Sequence, residues 1–365
     1  MEVFYDGQIY AMQTAGGINR YFANIISRLP DDFYPTLTAT YRSSKLNYPT
    51  HPHLKIIEYR RFPPARVSRQ VEKRYFQATT AFKKFDLAHP TYYSLLSGQA
   101  FENYRCPIVL TVYDMIHELF SSQLDPKGEV AEAKRRAILS AQAILCISES
   151  TRNDLLDRYP SLENKISITY LASELDANLA YGAETVPSRP YYLYVGSRTA
   201  EYKNFDGLLL AFSKAVSINQ ELALCVVGPS FNQAELDLIA NLKLTNFIEH
   251  CGHANDSQLA KLYRCSLGFV YPSLYEGFGI PPLEAMSCGT PVIAAKSSSI
   301  PEVVGDAGLL FDPKAPEDLA DRLLFLADHP AERDRLIAKG FERTKLFSWN
   351  KTASQTLDVY KSVAA

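Results

Sequence analysis

No two of the six cysteines, Cys106, Cys146, Cys225, Cys251, Cys265 and Cys288, form a C-x-x-C pair, so neither a zinc ribbon nor a dithiol redox motif is expected. Most stand in or beside apolar stretches and read as buried thiols of a reducing compartment. The chain has no D-x-D triplet, and with it no obvious carboxylate set for a divalent metal that would bridge phosphates. No run reaches the roughly 18 apolar residues that a spanning helix needs. The amino terminus MEVFYDGQIY carries an acid at position 2 and no apolar core, so no secretory signal is expected and the protein reads as soluble and cytoplasmic. Charge of one sign is lacking too: 38 Lys and Arg against 40 Asp and Glu give −2 at pH 7, which argues against nucleic-acid partners. Tryptophan occurs once, as Trp349 in FSWN, where a packing anchor is expected. There is no internal repeat and no low-complexity tract.

What is present is a globular composition, 47% hydrophobic and 21% charged over 365 residues. At about 150 residues per domain this predicts two domains. Short apolar runs alternate with amphipathic stretches, the pattern of parallel sheets wrapped by helices, so the fold class is α/β. Strands are expected at 3–5, 108–113 and 144–148, then at 191–195, 222–227, 247–251, 267–271, 292–295 and 309–311. The clearest helix follows the first strand, where Ile18, Phe22, Ile25, Ile26 and Leu29 share one face. Apolar periodicity fades between Ser173 and Pro190, where the linker is placed, giving domains at 1–175 and 188–346 and a terminal segment at 347–365. Ligands of doubly wound sheets bind beyond the carboxyl ends of the strands, so two such domains facing each other make a cleft and the loops after strands are where function is sought.

Three of those loops carry chemistry. The first, DGQIYAMQTAGGINR, sets Gly16 and Gly17 just ahead of a helix whose unpaired N–H groups suit an anion; a plain strand-to-helix turn is the alternative. It is not G-x-G-x-x-G, and no acid stands about 20 residues on to bind a ribose, which weakens a dinucleotide reading. In the second, GSRTAEYKNFDGLL, Arg198 and Lys203 could clamp a diphosphate or simply be solvated surface cations. The third, YPSLYEGFGIPPLEAMSCGTPVIA, places Glu276 in the loop, Gly277 and Gly279 with exposed backbone donors, Pro281 and Pro282 in a first helical turn and Glu284 in that same turn. Carboxylates would then flank a positive helix end, a layout matching sugar, diphosphate and ribose; an acid favoured at a helix start explains Glu284 alone.

The string EGFGIPPLE, with AMSCGTPVIA and IPEVVGDAGLLFDP after it, resembles the retaining family-4 (group 1) nucleotide-sugar glycosyltransferases of the two-Rossmann-domain, GT-B type. YVGSRTAEYKNFDGLL and GGINRY are similar to the same family's diphosphate clamp and glycine loop, and the resemblance is strongest over 191–313. It implies two Rossmann-like domains about a central cleft, with the C-terminal helix crossing back to the N-terminal domain. It also implies that Arg198 and Lys203 hold pyrophosphate, that Glu284 bonds ribose hydroxyls, that Glu276 contacts the transferred sugar and that the backbone of Gly277, Phe278 and Gly279 supports phosphate or sugar. His117 and Asp114, in VYDMIHELF, lie where the family keeps an active-site histidine. A core or surface role remains the alternative for His117, and capping of the following turn the alternative for Asp114. His89 is a second histidine expected to line the cleft, and His253 reads as base-pocket rim or plain loop.

The implied activity is retaining transfer of a hexose from a nucleotide diphosphate sugar, UDP-glucose being the donor guessed, to a glycan or lipid-linked saccharide in polysaccharide biosynthesis. No cofactor or metal is expected, because protein cations neutralise the leaving group. An epimerase or hydrolase on the same fold, or a non-catalytic sugar-nucleotide binder, would share the donor site. From Tyr59 to Lys84, Arg60, Arg61, Arg66, Arg69, Lys73, Arg74, Lys83 and Lys84 stand among aromatics, reading either as a solvated helix face or as peripheral contact with the inner face of a membrane or a lipid-diphosphate acceptor.

Overall fold

A computed structural model describes residues 1–14, 16–81, 83–180 and 185–364. The chain forms two compact units, Met1–Leu171 with Trp349–Ala365, and Ala172–Ser348. No described helix is long and apolar enough to cross a membrane.

In the first unit the strands are β1 (Glu2–Asp6), β2 (Tyr34–Thr40), β3 (Lys55–Tyr59), β4 (Leu87–Ala88), β5 (Val109–Val112), β6 (Ala143–Cys146) and β7 (Ile166–Ile168). They pair in parallel in the order β3-β2-β1-β4 and β5-β6-β7, and a parallel bridge from Ala88 to Ile108 joins the two runs. The strand order reverses between β1 and β4. Helix Gly17–Ile26 covers the sheet with the periodic face expected, Phe22, Ile25 and Ile26 being wholly buried. Each such side chain contributes about 1.5–3 kcal/mol through removal from water. The segment read as one loop after β1 contains a further helix, Gln8–Met12, because Ile9 and Tyr10 have a core to enter.

The terminal helix Trp349–Ala364 belongs to this unit. The Trp349 ring stands edge-on to Tyr21 at 6.3 Å, and Arg28 Nε donates to Asn350 Oδ1 at 2.9 Å. Tyr360, fully buried, shares hydrogen bonds with Tyr5 Oη at 3.1 Å and His89 Nδ1 at 2.6 Å, while His89 Nε2 meets Thr111 Oγ1 at 2.8 Å. His89 is therefore a core residue with both nitrogens engaged, not the cleft-lining group expected from its place after a strand.

The second unit holds β8 (Tyr191–Val195), β9 (Ala223–Val227), β10 (Ile248–Gly252), β11 (Gly268–Tyr271), β12 (Val292–Ala295) and β13 (Gly308–Phe311). All are parallel in the order β10-β9-β8-β11-β12-β13, reversing between β8 and β11. This is the Rossmann order. Its central strands are wholly apolar because helices cover both faces. Part of the stretch expected as linker is built into this unit: in the turn Ala177–Ala180, the carbonyl of Ala177 accepts from Arg264 and that of Leu179 from Ser257. Residues 181–184 of that stretch lie outside the described residues. The cysteines are free thiols, and Cys265, expected to be buried, is exposed because it ends helix Asp256–Cys265.

Candidate active site

The reversal between β8 and β11 is where an open α/β sheet leaves a crevice for ligand. The loops after these strands bring Lys203 and Glu276, 73 residues apart in sequence, to 2.7 Å between Nζ and Oε1. Lys203 ends a single 3-10 turn, Glu201–Lys203, fixed by Asn204 in the left-handed region at φ 53°. The Asn204 amide donates to the carbonyls of Pro272 and Pro313, and Leu274 N donates to Tyr202 O at 2.7 Å, so the two loops are tied together by backbone.

Three consecutive serines secure the Glu276 loop from the other side. Ser297 Oγ donates to Ser273 O, Ser298 Oγ accepts from Glu276 N, and Ser299 Oγ reaches the carbonyls of Glu276 and Phe278. Phe278 itself is buried with its ring against Phe347 at 5.8 Å, so only its backbone faces the loop's concave side. Gly279 stands at φ 115°, a conformation that admits little but glycine, and starts helix Ile280–Ser287. Because that helix begins at Ile280, Pro281 and Pro282 fall in its first turn and Glu284 lies just beyond it, at the fifth helical position and not in the first turn as expected. It is 7% exposed and accepts from Tyr263 Oη at 3.3 Å, a buried carboxylate and not a helix-start acid.

Arg198 is not a solvated loop cation. Its guanidinium packs against the mutually stacked rings of Phe205 and Phe231, 5.3 and 4.6 Å from their centroids. Nε donates to Glu235 Oε1 at 2.8 Å and one terminal nitrogen to Pro229 O at 2.6 Å, while the other, Nη1, is buried with no partner among the described residues. A guanidinium with two donors fixed and one unmet is oriented and incomplete, the condition of a group built to meet an anion. Glu235 and Phe231 escaped the sequence reading. The available signal was N-x-x-E, since Asn232 and Glu235 form the capping box of helix Gln233–Asn241.

In the first unit Asp114 accepts from the amide of Ile116 at 3.0 Å, closing a turn just ahead of the short helix Ile116–Leu119, which carries His117 and has Met115 at its N-cap position. Lys134, fully buried, bonds Asp114 O at 3.0 Å and Glu118 Oε2 at 2.9 Å beneath it. Its position one face with Ala137 and Ile138 was the clue to this inward cation. His117 Nδ1 is buried and unpartnered among the described residues. Gly16 is the extended N-cap of helix Gly17–Ile26, whose first turn has neither an acid nor a capping side chain. His253 is exposed in the bend after β10. Among the described residues no group of three or more His, Cys, Asp or Glu side chains is placed to hold a metal ion.

Two family models match the chain, that of Glycosyltransferase Family 4 over residues 15–175 and that of Glycosyl transferases group 1 over residues 183–343. The O-antigen chain mannosyltransferase B of Escherichia coli is 30% identical over 273 residues, which is 71% of each chain. Sucrose-phosphate synthase from Thermosynechococcus elongatus superimposes with a TM-score of 0.76 at 22% identity, over 99% of this chain and 98% of its own. Anabaena HepE, solved in complex with UDP and glucose, superimposes with a TM-score of 0.72 at 17% identity over 99% of both chains. The fold these structures share is the GT-B fold.

Proposed function

The chain belongs to the group 1 (family 4) glycosyltransferases, and from that premise we propose that it moves a hexose, with retention, from a nucleotide diphosphate sugar to a glycan or lipid-linked saccharide in polysaccharide biosynthesis. The observation that carries the donor side is the meeting of Lys203 and Glu276 at the point where the sheet order reverses. When a diphosphate arrives, its charge competes for the Lys203 ammonium, and the released Glu276 carboxylate becomes an acceptor for sugar hydroxyls. Arg198 Nη1 supplies a second fixed donor without reorganisation, and charge that builds on the leaving diphosphate is met where it develops. Glu284 accepts from the ribose hydroxyls in this reading, the backbone N–H groups of Gly277, Phe278 and Gly279 take phosphate or sugar, and Gly16 with Gly17 offers a second anion cradle. His117 Nδ1 is assigned a substrate hydroxyl, with Asp114 as the residue that positions it. Charge neutralisation comes from the two cations, and no metal is assigned.

UDP-glucose is the first donor to assay, since the Anabaena relative of this fold holds UDP and glucose. Purified protein with UDP-glucose or GDP-mannose and a panel of saccharide acceptors should yield an α-linked product by NMR; free sugar or an epimer in its place refutes transfer. Lys203→Ala should weaken UDP binding by roughly 1.5–3 kcal/mol in calorimetry, and unchanged affinity would remove the cation from the donor site. His117→Ala should lower kcat by about 10² or more while UDP affinity holds.

A further inference from the structure

The first unit also reverses its strand order, between β1 and β4, and there the loops enclose a cavity of about 610 Å³. Its walls are Gln8 just after β1, the segment 93–102 after β4, helix Ala65–Thr80 and helix Glu129–Ser140. That volume is in the range of small-molecule sites. Arg69 and Lys73 line this cavity and also, with Arg66 and Gln70, a second hollow of about 440 Å³ whose wall has no acid. The two hollows thus meet along one edge of the helix.

Helix Ala65–Thr80 has three distinct faces. Ser68, Glu72 and Phe76 are buried; Val67, Val71 and Tyr75 are exposed; and positions 66, 69, 70 and 73, spaced i, i+3, i+4 and i+7, face the hollows. The cations at 66, 69 and 73 are therefore on a different face from the exposed apolar stripe, an arrangement that neither alternative read from the sequence specified. Others in the stretch are committed: Arg61 pairs with Glu72 at 2.7 Å, and Arg60 lies over the Tyr41 ring at 5.3 Å. Arg136, across the cavity, pairs with Glu132 at 2.8 Å. Arg66, Arg69 and Lys73 make no ion pair or hydrogen bond with any described residue. These three cations line the second hollow, whose wall has no acid, and focus positive potential there. Lys73 is held there by Gly98 at φ 63°, where a Cβ would stand 2.9 Å from Lys73 Cδ. The inner wall is different in kind. Gln8, Gln99, Glu102 and Glu129 offer amide and carboxylate groups suited to hydroxyls, beside the rings of Tyr93 and Phe101.

We infer that the cavity and the hollow beside it together bind an anionic saccharide, its hydroxyls on Gln8, Gln99, Glu102 and Glu129 of the cavity and its phosphate or carboxylate on Arg66, Arg69 and Lys73 of the hollow. Its identification as the acceptor rests on the transferase reading above; the site itself does not. Titration calorimetry of the whole protein with glucose 6-phosphate and glucuronate, against glucose and inorganic phosphate, tests it. At least one of the two charged sugars should bind tenfold or more tightly than glucose and than phosphate. The double variant Arg69→Ala/Lys73→Ala should lose that gain while keeping the melting temperature and UDP affinity, and Gly98→Ala, which displaces Lys73, should lose part of it. Equal weak binding of all four probes, or binding untouched by the double variant, overturns the site. Sedimentation with phosphatidylglycerol vesicles that depends on Arg69 and Lys73 but is not competed by either charged sugar also overturns it, in favour of lipid-surface contact. Charged-sugar binding in a protein that fails to bind UDP would refute the donor reading and leave this site standing.

Discussion

Arg198 and Glu235 illustrate how one residue can serve both stability and chemistry. Both are nearly buried, so removing the guanidinium leaves a carboxylate without its cation. Arg198→Ala should therefore cost about 3 kcal/mol in urea unfolding in addition to its effect on UDP; a fully stable variant would mean that Glu235 is solvated. Two other buried groups set the pH dependence of the first unit. Burial pushes the Asp6 carboxyl up to about 7, against backbone N–H donors that include Leu96 at 2.9 Å. The folded protein thus holds a proton that the unfolded chain releases near pH 4, and this contribution to stability falls as pH rises from about 4 to 7. Burial lowers His89 to about 3, so the unfolded chain gains a proton near 6.5 that the folded one refuses, and stability falls as pH drops below that value. The two slopes oppose each other between about pH 4 and 6.5. His89→Phe should leave the Asp6 slope alone, with stability declining from pH 4 to 7 in urea titrations, and Asp6→Asn should steepen the acid decline; parallel profiles for all three proteins would exclude both groups. Sequence placed Lys203, Glu276 and Arg198 in ligand-facing loops because all three follow strong apolar strands. It had no means to see that Arg198 packs against both Phe205 and Phe231, which depends on a contact between the loops after β8 and β9.

At the scale of elements, the loop-to-helix junction at Gly279 decides the shape of the donor loop. An alanine there must occupy φ 115° or refold the turn, so Gly279→Ala should destabilise the second unit by on the order of 1–3 kcal/mol and weaken UDP binding. Calorimetric melting with and without UDP measures both effects, and a neutral substitution would show that the junction is pliable. The same scale explains which elements were readable. Strands β8, β9, β11 and β12 are continuous apolar runs because helices cover both their faces. Strand β2, YPTLTAT, is equally buried, yet Thr36, Thr38 and Thr40 interrupt the apolar signal. Two of these hydroxyls find partners distant in sequence: Thr40 Oγ1 donates to Glu72 at 2.7 Å, and Thr38 Oγ1 to Tyr5 O at 3.4 Å. Glu284 was expected in the first turn and lies one residue beyond it, because prolines mark a helix start only to within a residue or two.

For the whole molecule, the first unit is assembled from the two ends of the chain. Trp349, Ala353, Thr356 and Tyr360 are inward-facing residues of its core, so a protein ending at Ser348 should retain the second unit and lose the first. Pulse proteolysis should then show Ala172–Ser348 protected and 1–171 digested; a protected 1–171 would reduce the terminal helix to an ornament. Tyr360 alone anchors two polar groups, and Tyr360→Phe should cost about 1–3 kcal/mol by stranding His89 or Tyr5.

That discontinuity gives synthesis an unusual schedule. Residues 1–171 leave the ribosome well before 349–365 and cannot close their core until those seventeen residues emerge, about ten to forty seconds later at common elongation rates. The half of the protein made first is the half completed last, and its nascent sheet must be sheltered while a younger neighbour folds ahead of it.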